Sequence, residues 1–209
     1  PPPPPRQPGG LAARTRPDEP WQAPHGDQRY ATRSSSTPAL GLRGLANLGN
    51  TCLIHSALQC LSNTPELQQY FARNAHQDEL NTDNPLGMGG ALAMAYGRLV
   101  QSIWAAQQGA VVPREFKMAL ARYAPQFMGY AQQDSQELLA FLLDGLHEDL
   151  NRIHRKPYIE APDWTGGSDA DMVRFAQQQW DLYKARNDSV IVDLFQGQYR
   201  STLVCPVCH

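Results

Sequence analysis

The chain has 209 residues, a net charge of −2 and a sequence pI near 6.3, a balance that leaves no basic footprint for nucleic acid. Four cysteines are too few and too unevenly spread for a disulfide scaffold, which favours a reducing compartment. No apolar run approaches the ~20 residues of a membrane span and no charged-then-apolar signal segment opens the chain, so a soluble protein of the cytoplasm, the nucleus or both is expected.

Residues 1–40 hold ten of the 17 prolines, a Ser34-Ser35-Ser36 tract and scattered arginines. Such a segment cannot offset the entropy of ordering and is predicted to be disordered. Pro1 to Pro5 followed by Arg6 have the Pro-x-x-Pro-x-Arg form of a polyproline II ligand for an SH3-type partner, although a plain solvated tail has the same composition. Residues 41–209 make one domain large enough to bury a core. Because the chain opens on Pro1 and stops one residue after a Cys-x-x-Cys, it reads as a segment of something longer.

The stretch Gly44-Leu45-Ala46-Asn47-Leu48-Gly49-Asn50-Thr51-Cys52 places a cysteine after an Asn/Gly-rich turn and at the start of an apolar, helix-like run. Free N–H groups of a first helical turn, together with the macrodipole, stabilise a thiolate there. A buried structural cysteine is the common alternative for a lone Cys. Behind Cys52, Leu53, Ala57, Leu58 and Leu61 recur at helical spacing, with Cys60 read as core on the same helix. Thr64-Pro65-Glu66 caps a second helix.

Gly87, Gly89 and Gly90 form a helix-opening turn. They lack the lysine and preceding strand of a phosphate loop. Leu92, Ala95, Leu99, Ile103 and Trp104 then mark a third helix, and Pro113 starts a fourth through Phe116, Leu120 and Tyr123. The longest helix is predicted from Asp134 to about Ile153, on the stripe Leu138, Phe141, Leu142, Leu146 and Leu150. Another starts at Asp169 or Asp171 and runs through Tyr183. After Asn187 the β-branched Val190, Ile191 and Val192, and later Leu203 and Val204, predict extended structure. Helices first and strands last give an α+β expectation.

Three blocks carry a resemblance: Gly44 to Cys52; Tyr130-Ala131-Gln132-Gln133-Asp134-Ser135-Gln136-Glu137-Leu138-Leu139; and the run from Arg186 through Asp193-Leu194-Phe195-Gln196-Gly197-Gln198 to Cys205-Pro206-Val207-Cys208. In order and spacing they resemble the ubiquitin-specific protease family, whose cysteine box, glutamine-aspartate box and first zinc-knuckle pair they match across residues 44–208. The closest likeness is to the branch carrying Leu142-Leu143-Asp144-Gly145-Leu146-His147-Glu148-Asp149-Leu150-Asn151-Arg152.

The resemblance implies a papain-like catalytic domain, here mainly its helical thumb plus the start of its β-rich fingers. The activity it implies is thiol-dependent hydrolysis after the C-terminal glycine of ubiquitin, through an acyl-enzyme on Cys52. Asn47 is the implied oxyanion donor. Asp134 would bind an arginine of the extended ubiquitin tail, with Gln132 a neighbouring contact. Cys205 and Cys208 would be two of four ligands to a structural zinc, the others lying beyond His209. No catalytic cofactor is implied.

The catalytic histidine and its Asp or Asn partner come from a later segment in such proteins, and none of the six histidines here lies in a matching context. His147-Glu148 begins no His-Glu-x-x-His metal motif, because Asn151 stands at the last position. Relatives read aromatic, Met, Asn, Ser after the nucleophile, whereas this chain has Leu53-Ile54-His55-Ser56. Leu138 also replaces their usual phenylalanine. A weak or inactive ubiquitin-binding adaptor that retains the fold is therefore the alternative reading.

Overall fold

The computed structural model describes residue 41 and residues 43–107, 109–129 and 131–207, all within the unit 36–209. The predicted disordered segment 1–40, with its Pro1–Arg6 tract, lies outside the described residues, as does Cys208.

Among the described residues the helices are α1 (Cys52–Ser62), α2 (Pro65–Ala72), α3 (Ala75–Asp78), α4 (Ala91–Trp104), α5 (Arg114–Tyr123), α6 (Ser135–Asp149), α7 (Asp169–Lys184) and α8 (Val190–Phe195), with a short 3-10 turn at Pro125–Phe127. Helix α4 is the centre of the packing, against α2, α3, α5 and α6, while α6 also meets α1 and α8. The reason is its pattern: Leu92, Ala93, Ala95, Tyr96, Gly97, Leu99, Val100 and Ile103 are all buried, more than one face of a helix. Leu58, Phe71, Phe116, Leu120, Leu138, Leu142 and Leu146 close around it. An aromatic relay of edge contacts runs from Tyr70 through Phe71 and Tyr96 to Phe116.

The α+β expectation is overturned. The described residues contain no strand or sheet, only one isolated parallel bridge between Leu45 and Val111. The β-rich start of the fingers is absent too, because residues 196–205 run without a ladder partner. β-Branched residues make a strand only where a second strand pairs with them. Val190, Ile191 and Val192 instead turn into α8, because the Ser189 hydroxyl accepts from the Val192 N–H at 3.2 Å and all three side chains bury, with α8 packed on α6.

Helix α6 ends at Asp149 rather than near Ile153, and α7, at 16 residues, is longer than its 15. The Asn151 carboxamide explains the stop: its oxygen accepts from the Ile153 and Asp188 N–H groups, both at 3.1 Å, a local alternative to continuing the helix. Helix α7 opens with a capping box between Ser168 and Asp171 and buries no residue fully. Cys60 is exposed, not core; Cys52, Ser56 and Cys60, four apart, line the outer face of α1.

The run His147 to Arg152 is a polar junction. Asp149 is fully buried, and its carboxylate accepts from the N–H groups of Met88 at 2.6 Å, Leu92 at 2.9 Å and Ala93 at 3.1 Å. Helix α4 thus has Gly90 at its cap position, with no side chain to cap it, and is capped from the far end of α6. The carboxylate approaches closely enough that a Cβ at Gly87 would stand 2.9 Å from its Oδ1. Glu148 binds Asn84 at 2.6 Å and Lys156 at 3.0 Å. Burial would raise its carboxyl, but these bonds outweigh burial and hold it below its ordinary value. His147 reaches Ser189 at 2.8 Å and Asn187 at 3.3 Å, and burial pushes its ring below the ordinary value. Arg152 pairs with Glu79, Asp188 and Asp193 at 3.0, 2.9 and 3.4 Å.

Replacing Asp149 with Ala leaves three backbone donors at the start of α4 without their acceptor, at a cost on the order of 3 kcal/mol. The expected result for the full-length protein is a melting temperature lower by roughly 6 to 12 °C, with Asp149→Asn intermediate because one oxygen remains. A loss under about 2 °C in a thermal scan would show that α4 starts without this cap.

Candidate active site at the start of helix α1

The loop before α1 is pinned from several directions. The Ala46 N–H donates to the Val111 carbonyl and the Val111 N–H to the Gly44 carbonyl, both at 2.8 Å. Arg43 reaches the Ser102 carbonyl at 2.8 Å and that of Gly109 at 3.0 Å. Gly49 (φ +95°) and Asn50 (φ +46°) then turn the chain through two left-handed residues, which glycine and asparagine tolerate at low cost.

Inside that turn Asn47 is oriented by its own oxygen. Its Oδ1 accepts from the Gly49 N–H at 2.9 Å and the Thr51 hydroxyl at 3.0 Å. The amide nitrogen bonds to nothing among the described residues, and the side chain is exposed. Thr51 holds the other end: its Oγ1 also accepts from the Leu48 N–H at 3.1 Å and meets His55 Nε2 at 3.0 Å. Because the hydroxyl donates to Asn47, the ring nitrogen is the donor in the last contact.

Thr51 stands where a threonine ordinarily caps a helix, yet no side chain caps α1. That choice costs about 1 kcal/mol and leaves the first-turn N–H groups without a side-chain acceptor beside Cys52. Cys52 itself is exposed, the first residue of α1. A candidate nucleophile, an amide donor and the positive end of a helix thus lie within six residues, an arrangement suited to acyl transfer to sulfur.

Other candidates sit apart from this cluster. Asp134 caps α6, its Oδ1 accepting from the Gln136 N–H at 2.7 Å; it is exposed, and Oδ2 is unengaged among the described residues. Gln132 is exposed in the preceding segment. No hydrogen bond among the described residues joins Gln132 or Asp134 to Asn47 or Cys52. Cys205 is exposed beside a turn at Pro206 and Val207, and no group of three His, Cys, Asp or Glu among the described residues is arranged to hold a metal.

His55 turns to Thr51 and to the Ala46 backbone, and burial pushes its ring below the ordinary value, the Ala46 bond opposing. No described histidine hydrogen-bonds Cys52. A cavity of about 530 Å³ between α6 and the later helices is lined by Phe141, Asp144, His147, Tyr183 and Asn187 among others, with no cysteine among these residues. No helix among the described residues is long and apolar enough to cross a membrane. Sequence reading did not single out Thr51, whose position signals only a cap.

Residues 43–209 match the family model described as ubiquitin carboxyl-terminal hydrolase. The chain is similar to ubiquitin carboxyl-terminal hydrolase 10 of Arabidopsis thaliana, 60% identical over 168 residues that cover 80% of this chain and 18% of that protein. It is similar also to ubiquitin carboxyl-terminal hydrolase 15 of Homo sapiens, 56% identical over 179 residues, 86% of this chain and 18% of that protein. The same-named protein of Xenopus tropicalis is 52% identical over 189 residues, 90% and 19%. The chain therefore spans less than a fifth of the length of these curated relatives.

A ring whose hold on a proton is weakened by burial, and which bonds Thr51 rather than Cys52, lends the thiol little charge. In the full-length protein, His55→Asn is expected to leave the midpoint of the pH-dependence of Cys52 alkylation in place, and a move of more than about half a pH unit would show that the ring does act on sulfur. Stability should respond instead. With its folded value lowered, the ring takes up a proton more readily in the unfolded chain, so this contribution is present above the ordinary value of 6.5 and falls as pH drops below it. The variant should lose stability less steeply below that pH.

Proposed function

The chain belongs to the ubiquitin carboxyl-terminal hydrolase family, and from that premise we propose that it supplies the nucleophile and half of the substrate cleft of a deubiquitinase. The observation that carries this reading is the exposed Cys52 at the uncapped start of α1, with the Asn47 carboxamide fixed through its oxygen.

The Cys52 thiolate attacks the carbonyl carbon of ubiquitin's C-terminal glycine, and the carbonyl π pair moves onto oxygen. That oxyanion is met by the first-turn N–H groups of α1 and by the Asn47 amide nitrogen. Collapse expels the amine of the conjugated protein, which takes a proton from an imidazolium and leaves a thioester on sulfur. Water, deprotonated by the same imidazole, then releases ubiquitin's carboxylate and restores the thiolate. The imidazole is assigned to the full-length protein outside these 209 residues.

Asp134 serves two purposes in this reading: Oδ1 caps α6, and the open Oδ2 receives an arginine of the ubiquitin tail with Gln132 beside it. A structural zinc is assigned to Cys205 and Cys208, whose spacing about the Pro206–Val207 turn suits two thiolates on one ion. These are half of a closed tetrahedral site, and the zinc would organise the chain there without entering the reaction.

Ubiquitin bearing a C-terminal electrophile should form a covalent adduct with the full-length protein and none with Cys52→Ala. An adduct that persists in Cys52→Ala, or that maps to Cys60, would sink the assignment of the nucleophile.

In full-length Cys52→Ala, which binds without turnover, adding Asp134→Ala should weaken affinity for ubiquitin by roughly tenfold or more, as expected for a lost bond to a charged group. Loss of the cap alone should lower the melting temperature by only about 2 to 4 °C. A larger thermal loss with unchanged affinity would leave Asp134 the capping role only.

A further inference from the structure

Beside the nucleophile's loop runs a groove of about 340 Å³, lined by Leu48, Arg114, Lys117, Met118, Ala121 and Met128. Leu48 adjoins Asn47, so one wall of the groove is the turn that aims the candidate oxyanion donor. Residues 114, 117 and 118 lie at three- and four-residue spacing on the side of α5 away from the core residues Phe116 and Leu120, with the buried Ala121 one turn further on.

Two features of that face are not accounted for by the fold. Arg114 is the first residue of α5, where a cation opposes the helix dipole, and it has no anionic partner among the described residues. Its neighbour Glu115, which would suit that end, pairs instead with Arg98. Met118 and Met128 are 55% and 63% exposed, two flexible thioethers on the surface. Lys117 reaches across to the Gly129 carbonyl at 3.4 Å, which keeps its ammonium at the groove. The chemistry is an anion site with adaptable apolar walls.

We propose that this groove receives an acidic segment of the protein to which ubiquitin is attached, next to the modified lysine. This rests on the assignment of Cys52 as nucleophile. The charge sorting favours that occupant: the open carboxylate of Asp134 calls for a cation, which the functional reading assigns to ubiquitin's tail, and that same tail would meet like charge at Arg114 and Lys117. The remaining part of the conjugate is the modified protein. Methionine walls suit a site that must accept many sequences, with the sign of charge as the selective element.

The test uses the full-length protein and ubiquitin joined by an isopeptide bond to fluorescent peptides whose lysine is flanked by glutamate, serine or lysine. Ubiquitin carrying a C-terminal aminocoumarin is the reference. Relative to that reference, kcat/KM should favour the glutamate peptide over the lysine peptide by about tenfold at low salt and by less at high salt. Arg114→Gln with Lys117→Gln should abolish the preference, and Arg114→Glu with Lys117→Glu should invert it. Equal turnover of the peptides by the wild type, or a preference that survives both double variants, overturns the proposal. So does a uniform loss on every substrate, which would give the groove to ubiquitin itself. If Cys52→Ala still cleaves the aminocoumarin substrate, the nucleophile assignment fails; if cleavage depends on Cys52 but the peptides are equal, only the groove assignment fails.

Discussion

The buried carboxylate of Asp149 is the constraint on which the rest of the helical assembly is arranged. As the last residue of α6 it lies at the negative end of its own helix, an unfavourable place for an anion. It is stable there because the N-terminus of α4 is brought to it, and three N–H groups close on its two oxygens. The relation is mutual. Gly90 gives α4 no cap of its own, and its left-handed φ of +83° aligns the preceding turn so that an acceptor from elsewhere can fill the role.

That junction reaches the candidate active site through α4 itself. Fourteen residues of helix make a rod of about 21 Å, and its far end is where the loop before Cys52 is attached. The Ser102 carbonyl holds Arg43, the Trp104 indole N–H donates to the Ser62 carbonyl at the end of α1, and the segment after Trp104 supplies Val111, which pairs with Gly44 and Ala46. One end of α4 is thus fixed by α6 and the other positions both ends of the cysteine helix. The buried stripe between them couples the two, since a packed interior transmits displacement rather than absorbing it.

At the site, polar groups are spent on orientation rather than on local stability. The Thr51 hydroxyl fixes Asn47 and meets His55, and α1 goes without a side-chain cap. Around it charge is divided: Asp134 and Glu137 open α6 with exposed carboxylates, whereas Arg114 and Lys117 face the groove beside Leu48. A substrate carrying cations in one part and anions in another would be read in a single orientation by such a surface.

Much of this was legible in the residues alone. Leucine periodicity marked α1, α4, α5 and α6, because a 3.6-residue stripe buries the same way wherever the helix lies. Asp134 could be read as a cap, and the blocks around Cys52 and Asp134 pointed to the family, since these depend on neighbours within a few positions. Other features were not legible, for reasons of distance. The strand expected at Val190 to Val192 became a helix because no second strand among the described residues pairs with it and a core face on α6 is present. Cys60 looked like core from its apolar neighbours, but only the packing of α1 decided which side faces out. The sequence by itself determined that α1, α4, α5 and α6 form and which cysteine begins one, because periodicity is local. Only the tertiary structure decided that Asp149 caps a helix 57 residues earlier at Leu92, that Thr51 serves Asn47 instead of α1, and that Arg114 and Lys117 line a groove with Leu48 of the loop before Cys52, because each is a meeting of groups that the chain keeps far apart or leaves free to choose.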